Sequence, residues 1–451
     1  MRFDHASFQM AIHSGGCCAP RVLSPLYRLS REALALLDRQ MVEREAATLH
    51  EHYQKLSERM TDVALGDLRM ATALAWRGAD GYFPAYRYHV GEFVNDDWLS
   101  SVDWHKKFHR DHISHQAMCY WVAQRLLDTK DQEVSFDTST LRERCLQQVV
   151  YDPECHYLRD YAERLGVFKN VGRELKTCLW ASLFDEAVFL ATMYHDIGYP
   201  WQFVQGIATQ LSGNSALSVM PMQMSARELY DAYGTRLLCY PFQNYSAPAA
   251  VQPAGWRRRT ESLLLEGLSR THGLPGALAF LYLNDVLRQF PDAADSDAKG
   301  LFCIEWAALA ILMHDLQRLY VGKARNGAPP ENSQLRISFR RDPLSFLLTL
   351  VDQIQDFCRP NAVFKATAGA VKLEYEHACH AVEITAQPRQ PVRIVYCYEK
   401  TSDYDKNTAE HKPKAEREFF DPTVGYVDWS GLPISSIWLR TRHEPESGHG
   451  N

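Results

Sequence analysis

Ala191-Thr192-Met193-Tyr194-His195-Asp196-Ile197-Gly198-Tyr199-Pro200 is the stretch whose reading decides the fold. It closes a mostly apolar run from Leu179 to Met193, interrupted by Asp185 and Glu186, and that run predicts a largely buried helix. An imidazole and a carboxylate therefore stand side by side at the end of a buried helix. An unpaired buried charge is costly, so Asp196 needs a partner, and a metal ion satisfies both side chains at once. A plain helix terminus accounts for the pair as well. Histidine is favourable at the C-terminal end of a helix dipole, and Gly198 followed by Pro200 is an ordinary stop signal. The choice turns on whether other ligand-type residues occur in similar surroundings.

Four further positions do. His115 lies in Phe108-His109-Arg110-Asp111-His112-Ile113-Ser114-His115-Gln116, where His109, His112 and His115 are three apart and share roughly one helical face. His115 is best placed because the apolar helix starts immediately after it. His112 is its rival, and a solvated first-turn histidine is the plain alternative for either. His272 stands in Arg270-Thr271-His272-Gly273-Leu274-Pro275-Gly276-Ala277, also just before an apolar run. The small residues at 273, 276 and 277 allow close backbone packing; a loop histidine is the alternative. His314-Asp315 follows the apolar Ala307 to Met313, where a satisfied core histidine is the alternative. Asp352 sits inside the apolar segment Pro343 to Phe357. Aspartate is a poor helix former and rarely buried unpaired, although a salt bridge or a solvent-facing position also explains it.

The order His…His-Asp…His…His…Asp, each in helical surroundings, resembles the HD-domain superfamily of metal-dependent phosphohydrolases. The resemblance runs from about Arg110 to Pro360, with longer insertions than a compact HD domain carries. It rests most on residues 110–116, 195–198 and 350–354. It implies that His115, His195, Asp196 and Asp352 hold a first metal. His272 and His314 would hold a second, with Asp196 bridging, as in the binuclear subfamilies. His195 and Asp196 become the catalytic centre. Imidazole with carboxylate suits Mn, Fe, Zn, Co or Ni, with Mg admitted. One or two such ions polarise a phosphoryl oxygen and activate a water for in-line attack. The expected substrate is a small phosphorylated molecule, a nucleotide or cyclic nucleotide. Arg110, His112, Tyr199 and Arg359 are candidates for holding it, since phosphate needs cationic partners and a base can stack on an aromatic ring. Two other readings share the residues: an HD-type di-iron oxygenase, and a non-catalytic nucleotide-sensing module. Gly198-Tyr199-Pro200 matches an element of cyclic-dinucleotide enzymes but stands at a different place in the order, so it carries no weight.

Composition fits this picture. Apolar residues make up 46% of the 451, which excludes wholesale disorder. A net charge of -6 excludes a basic protein that coats nucleic acid. The 11 cysteines are scattered with no Cys-x-x-Cys pair, which points to a reducing cytoplasm rather than a disulfide framework. No apolar run approaches the roughly 20 residues of a membrane span. Both a monomer and an oligomer are compatible with the sequence.

The expected fold is mainly α. An irregular lead-in over 1–25 opens an N-terminal helical extension over 1–100, and an HD-type helical bundle with long insertions occupies 101–360. Alternating and β-branched segments at 371–385, 391–398 and 424–439 predict a small C-terminal β or α+β unit over 361–451. The charged stretch 401–418 inside it reads as a mobile loop.

Overall fold

A computed structural model describes residues 1–13, 112–128, 139–198, 226–239, most of 261–268, 271–288, 298–316, 336–357, 360–367, 370–377, 379–387, 390–421, 425–432 and 437–444. Residues 14–100 of the expected N-terminal helical extension, and the stretches 199–225 and 317–335 within the expected helical bundle, lie outside the described residues. The described part is mainly helical with a small sheet.

Its named elements begin with strand β1 (Arg2–Asp4) and helix α1 (His5–His13). The helical core follows: α2 (His112–Asp128), α3 (Leu141–Tyr151), α4 (His156–Arg164), α5 (Arg173–Tyr194), α6 (Ala226–Cys239), α7 (Gly273–Arg288) and α8 (Ala298–Asp315). Strand β2 (Ile337–Ser338) leads into α9 (Pro343–Ile354).

Helices α5 and α8 form the centre. From Glu186 onward α5 is buried at every position to Tyr194, and α8 is buried from Phe302 to Asp315. Helices that bury all faces belong inside a core rather than at its surface. They pack on each other. Helix α2 packs on α5 and α9, α9 packs on α8 and α5, and α7 packs on α8. The start of α9 is fixed by its sequence: Asp342 caps the amides of Leu344 and Ser345, and Pro343 occupies the first turn, where its missing N–H costs nothing. The same carboxylate accepts a hydrogen bond from Trp306 Nε1 at 2.9 Å, which ties the cap of α9 to α8. Helix α3 starts with a reciprocal capping box between Thr140 and Glu143.

The C-terminal region contains β3 (Pro360–Thr367), β4 (Ala370–His377), β5 (Ala381–Thr385), β6 (Val392–Tyr398), β7 (Val427–Asp428) and β8 (Ile437–His443). β3 and β4 form an antiparallel hairpin, and β2 pairs with β7 in parallel. A four-stranded sheet has the order β1-β5-β6-β8, antiparallel except for the parallel β6–β8 pair. Ile437 and Leu439 point inward, whereas Trp438 stays 41% exposed beside the guanidinium groups of Arg393 and Arg440.

Two expectations fail here. Residues 1–25 do not begin as an irregular lead-in. Residues 2–4 are a sheet strand and 5–13 a helix, because Phe3 and Phe8 have a core to enter: both rings meet Trp121 of α2 edge-on, at 5.4 and 5.6 Å. The partner of β1 is β5, far along the chain, and so is invisible to local periodicity. The charged stretch 401–418 is helical, with α and π turns running from Thr401 to Phe420. Tyr404 anchors it against Tyr398 and His443, and Phe419 is buried. One thin apolar line suffices where the rest of the helix is solvated.

The sheet and the helices share one core. Trp121 also meets Phe357 at 6.2 Å, Phe357 pairs by a β-bridge with Cys379, and the Tyr396 hydroxyl donates to the carbonyl of Gln353 at 3.0 Å. The sheet therefore braces α2 and α9.

Candidate metal centre

His115 is carried by α2 and His195-Asp196 by the turn that ends α5. His272 precedes α7, His314 closes α8, and Asp352 lies in the last turn of α9. These positions converge on one point. His115 Nε2 lies 3.0 Å from Asp352 Oδ1 and 3.1 Å from His195 Nε2. His272 Nε2 lies 3.0 Å from His314 Nε2. Asp196 stands between the two groups: Oδ1 is 3.4 Å from His195 Nε2 and 3.3 Å from His272 Nε2, and Oδ2 is 3.8 Å from His115 Nε2. His115, Cys119, His195 and Asp352 thus form one set able to hold an ion, and Asp196, His272 and His314 a second. Most of these side chains are buried. Asp352, at 21% side-chain exposure, marks the side facing solvent.

The other nitrogen of each ring has an oxygen behind it. Nδ1 of His195 faces the carbonyl of Thr192 at 2.8 Å, and Nδ1 of His314 faces that of Ile311 at 2.6 Å. Nδ1 of His272 lies 2.8 Å from Asp315 Oδ2, and Nδ1 of His115 contacts Gln355 Oε1. The Gln355 amide is oriented by its own NH2, which donates to the carbonyl of Phe357 at 3.0 Å. Carbonyls and carboxylates only accept, so in the neutral form of a ring placed this way Nδ1 carries the proton and the Nε2 lone pair faces the centre. Lone pairs then face one another at 3.0 and 3.1 Å across both histidine pairs. That arrangement repels unless a proton or a cation lies between them. Backing each ligating ring with an acceptor is the usual way to orient a metal ligand.

Without a metal the charges sort unevenly. Burial alone would lower His272, but Asp315 and Asp196 outweigh it and push the imidazole up to about 9. Burial and the charges of His272 and His195 push His314 down to about 4. His195 is raised because Asp196 and Asp352 overcome its burial. Asp352, despite burial, is held well below the ordinary carboxylate range by the imidazoles of His115 and His195 that face it.

Glycines let the segments approach. A Cβ on Gly198 would meet the carbonyl oxygen of His272 at 1.9 Å and the amide of Gly276 at 2.5 Å. A Cβ on Gly273 would meet the carbonyl of Ile311 at 2.7 Å. Gly198 is therefore more than a helix stop: it is where the His195-Asp196 turn and the His272 turn touch backbone to backbone.

The structure brings His115, His195, Asp196, His272, His314 and Asp352 together. Of the substrate candidates, Arg110, Tyr199 and Arg359 lie outside the described residues, as does the side chain of His112, which opens α2. Three residues not singled out from sequence belong to the site. Asp315 accepts from the His272 amide at 2.7 Å as well as facing its ring; its signal was a second His-Asp pair at the end of a second apolar helix. Gln355, three residues beyond Asp352, had no signal of its own. Cys119 falls four residues after His115 and hence on the same side of α2, but a cysteine in an apolar helix is no anomaly in the sequence.

A third grouping, Glu383, Cys397 and Glu444, lies on the sheet. Its carboxylates are already matched by Arg2 at 2.8 and 3.1 Å and by Arg442 at 2.6 Å each. This is an ion-pair network rather than a ligand set.

Comparison with protein-family models, curated proteins and solved structures finds no match to this chain. Among the described residues no helix is long and apolar enough to cross a membrane.

Proposed function

We propose that the chain is an HD-type metal-dependent phosphohydrolase or phosphodiesterase acting on a small phosphorylated substrate, a nucleotide or cyclic nucleotide. The observation that carries the reading is the pair of imidazole couples, His115 with His195 and His272 with His314, whose Nε2 atoms face each other while Nδ1 is tied back. Such a site fits divalent cations, and nitrogen with carboxylate donors favours a transition metal over Mg. An ion held there supplies Lewis-acid polarisation of a phosphoryl oxygen and an activated water. The chain supplies position and charge. Asp196 reaches both imidazole couples, Oδ1 facing His195 and His272 and Oδ2 facing His115, which suits a bridging carboxylate. Burial of the ligands excludes bulk water and strengthens the local field. Asp352, on the exposed side, is where a phosphate ester would approach.

The test is metal analysis of purified wild type and Asp196→Ala, with a screen of phosphomonoesters, nucleotides and cyclic nucleotides for phosphate or nucleoside release. Bound transition metal and a metal-dependent hydrolysis lost in Asp196→Ala are expected. A protein that takes up no metal overturns the reading. So does a metal-loaded protein that consumes oxygen and releases no phosphate.

A further inference from the structure

We propose that Cys119 is a thiolate ligand of the first subsite, so that the centre holds two chemically unlike positions. His115, Cys119, His195 and Asp352 form one, and Asp196, His272 and His314 the other. The inference rests on the metal reading above and goes beyond its histidine and aspartate set. Cys119 is fully buried on the same face of α2 as His115. Its Sγ lies 3.7 Å from both ring nitrogens of His115. One donor atom each of His115, Cys119, His195 and Asp352 all fall within 4.8 Å of one another.

The spacings suit ligands that share one ion. With metal–nitrogen bonds of about 2.0–2.1 Å and a metal–sulfur bond of about 2.3 Å, a tetrahedral set has nitrogen–nitrogen edges of roughly 3.3 Å and nitrogen–sulfur edges of roughly 3.5 Å. The His115–His195 separation is 3.1 Å, and the Cys119 sulfur stands 3.7 Å from His115. A thiol that merely fills a core has no reason to sit among three ligand-type side chains. At present Sγ has the backbone oxygen of Val351 at 3.9 Å, a weak partner that coordination would replace. On binding, the S–H bond breaks, its proton leaves to buffer, and a sulfur–metal bond forms. A thiolate biases this subsite toward Zn, Co or Fe and away from Mn and Mg, whereas the nitrogen and oxygen donors of the second subsite disfavour Mg but admit Mn.

Cobalt(II) added to metal-free protein reads the donors directly. The wild type should develop visible ligand-field bands together with a near-ultraviolet thiolate-to-cobalt charge-transfer band. Cys119→Ser should lose the charge-transfer band and keep visible bands, and Cys397→Ser should keep both. Zinc affinity of Cys119→Ser should fall at least about ten-fold, with manganese affinity unchanged. Cobalt uptake by the wild type without a charge-transfer band, or a band that survives Cys119→Ser, overturns the thiolate ligand and leaves the metal centre standing. No cobalt uptake overturns the metal centre itself. If Cys119→Ser fails to fold, Cys119→Ala serves in its place. The wild-type spectrum still decides against the ligand when the band is absent.

Discussion

The helical centre and the ion-pair cluster that runs across the sheet, from edge strand β1 to edge strand β8, both gather histidine, cysteine and carboxylate side chains, yet they are opposite in kind. In the cluster on the sheet, Glu383 and Glu444 already hold Arg2 and Arg442, and His380 adds a contact to Glu444 at 3.0 Å. The cations come from the protein, and the side chains are partly solvated. In the helical centre the carboxylates of Asp196 and Asp352 face imidazoles, and Nδ1 of His195 and of His314 is tied back to a backbone carbonyl. The cluster on the sheet has balanced its own charge. The centre is arranged as if the cation arrives from outside. Proximity of ligand-type residues alone therefore identifies no metal site; what separates the two regions is whether arginines of the chain already match the carboxylates.

The largest expected effect comes from Asp196→Ala, which removes the only carboxylate that reaches both imidazole couples among the described residues. Metal affinity should fall roughly 100-fold or more, read as lost metal after dialysis. Retention of a full complement would break the contrast, because the centre would then not depend on its bridge.

Next in size is Gly198→Ala. The added methyl would fall 1.9 Å from the His272 carbonyl oxygen, so the two turns must separate. A loss of about 1–3 kcal/mol is expected, visible as a lower Tm, with metal lost from the second subsite ahead of the first. Unchanged stability with two tightly held ions would show that the backbone contact does not set the ligand positions.

Asp315→Asn keeps an acceptor for the His272 amide but removes the charge behind its ring. Affinity of the second subsite should weaken about 10- to 100-fold, measured by competition with a chelator, with the first subsite unaffected.

The smallest effect belongs to the cluster on the sheet. Slight burial would raise the Glu444 carboxyl, but Arg2 and Arg442 hold it down from 4.5 to about 2. A depressed carboxylate contributes stability that is present above its unfolded value. That contribution is fully present above about pH 4.5 and is lost as the pH falls toward 2. Glu444→Gln should therefore cost at most about 1 kcal/mol at pH 7, should lessen the acid sensitivity of unfolding, and should leave metal content untouched. A change in bound metal in this variant would erase the distinction between the two regions.

Much of the helical part was legible because burial is written in runs. Residues 179–193 and 301–313 are mostly apolar, so their status as buried helices, and the oddity of a His-Asp pair at the end of each, followed from the sequence alone. The six candidate ligands were singled out in the same way, as polar residues in or beside apolar helices, and the structure brings them together in two adjacent groups. The strand at 2–4 and the helix at 401–420 were not legible. One depends on a partner about 380 residues away, and the other on a few aromatic anchors within a charged stretch. Cys119 and Gln355 were hidden for a related reason: an apolar thiol and a single amide have no anomaly to betray them until their neighbours are known.

The sequence by itself determined a mainly helical chain and which side chains are chemically out of place in its core. Only the tertiary structure decided that these side chains meet, which nitrogen of each ring faces inward, and that Asp196 stands between two imidazole couples. The reason is physical. Helix formation and burial depend on local periodicity, whereas ligand convergence depends on where separate helices cross. Here the glycines 198, 273 and 276 set that crossing, by allowing backbone contact that no side chain would permit.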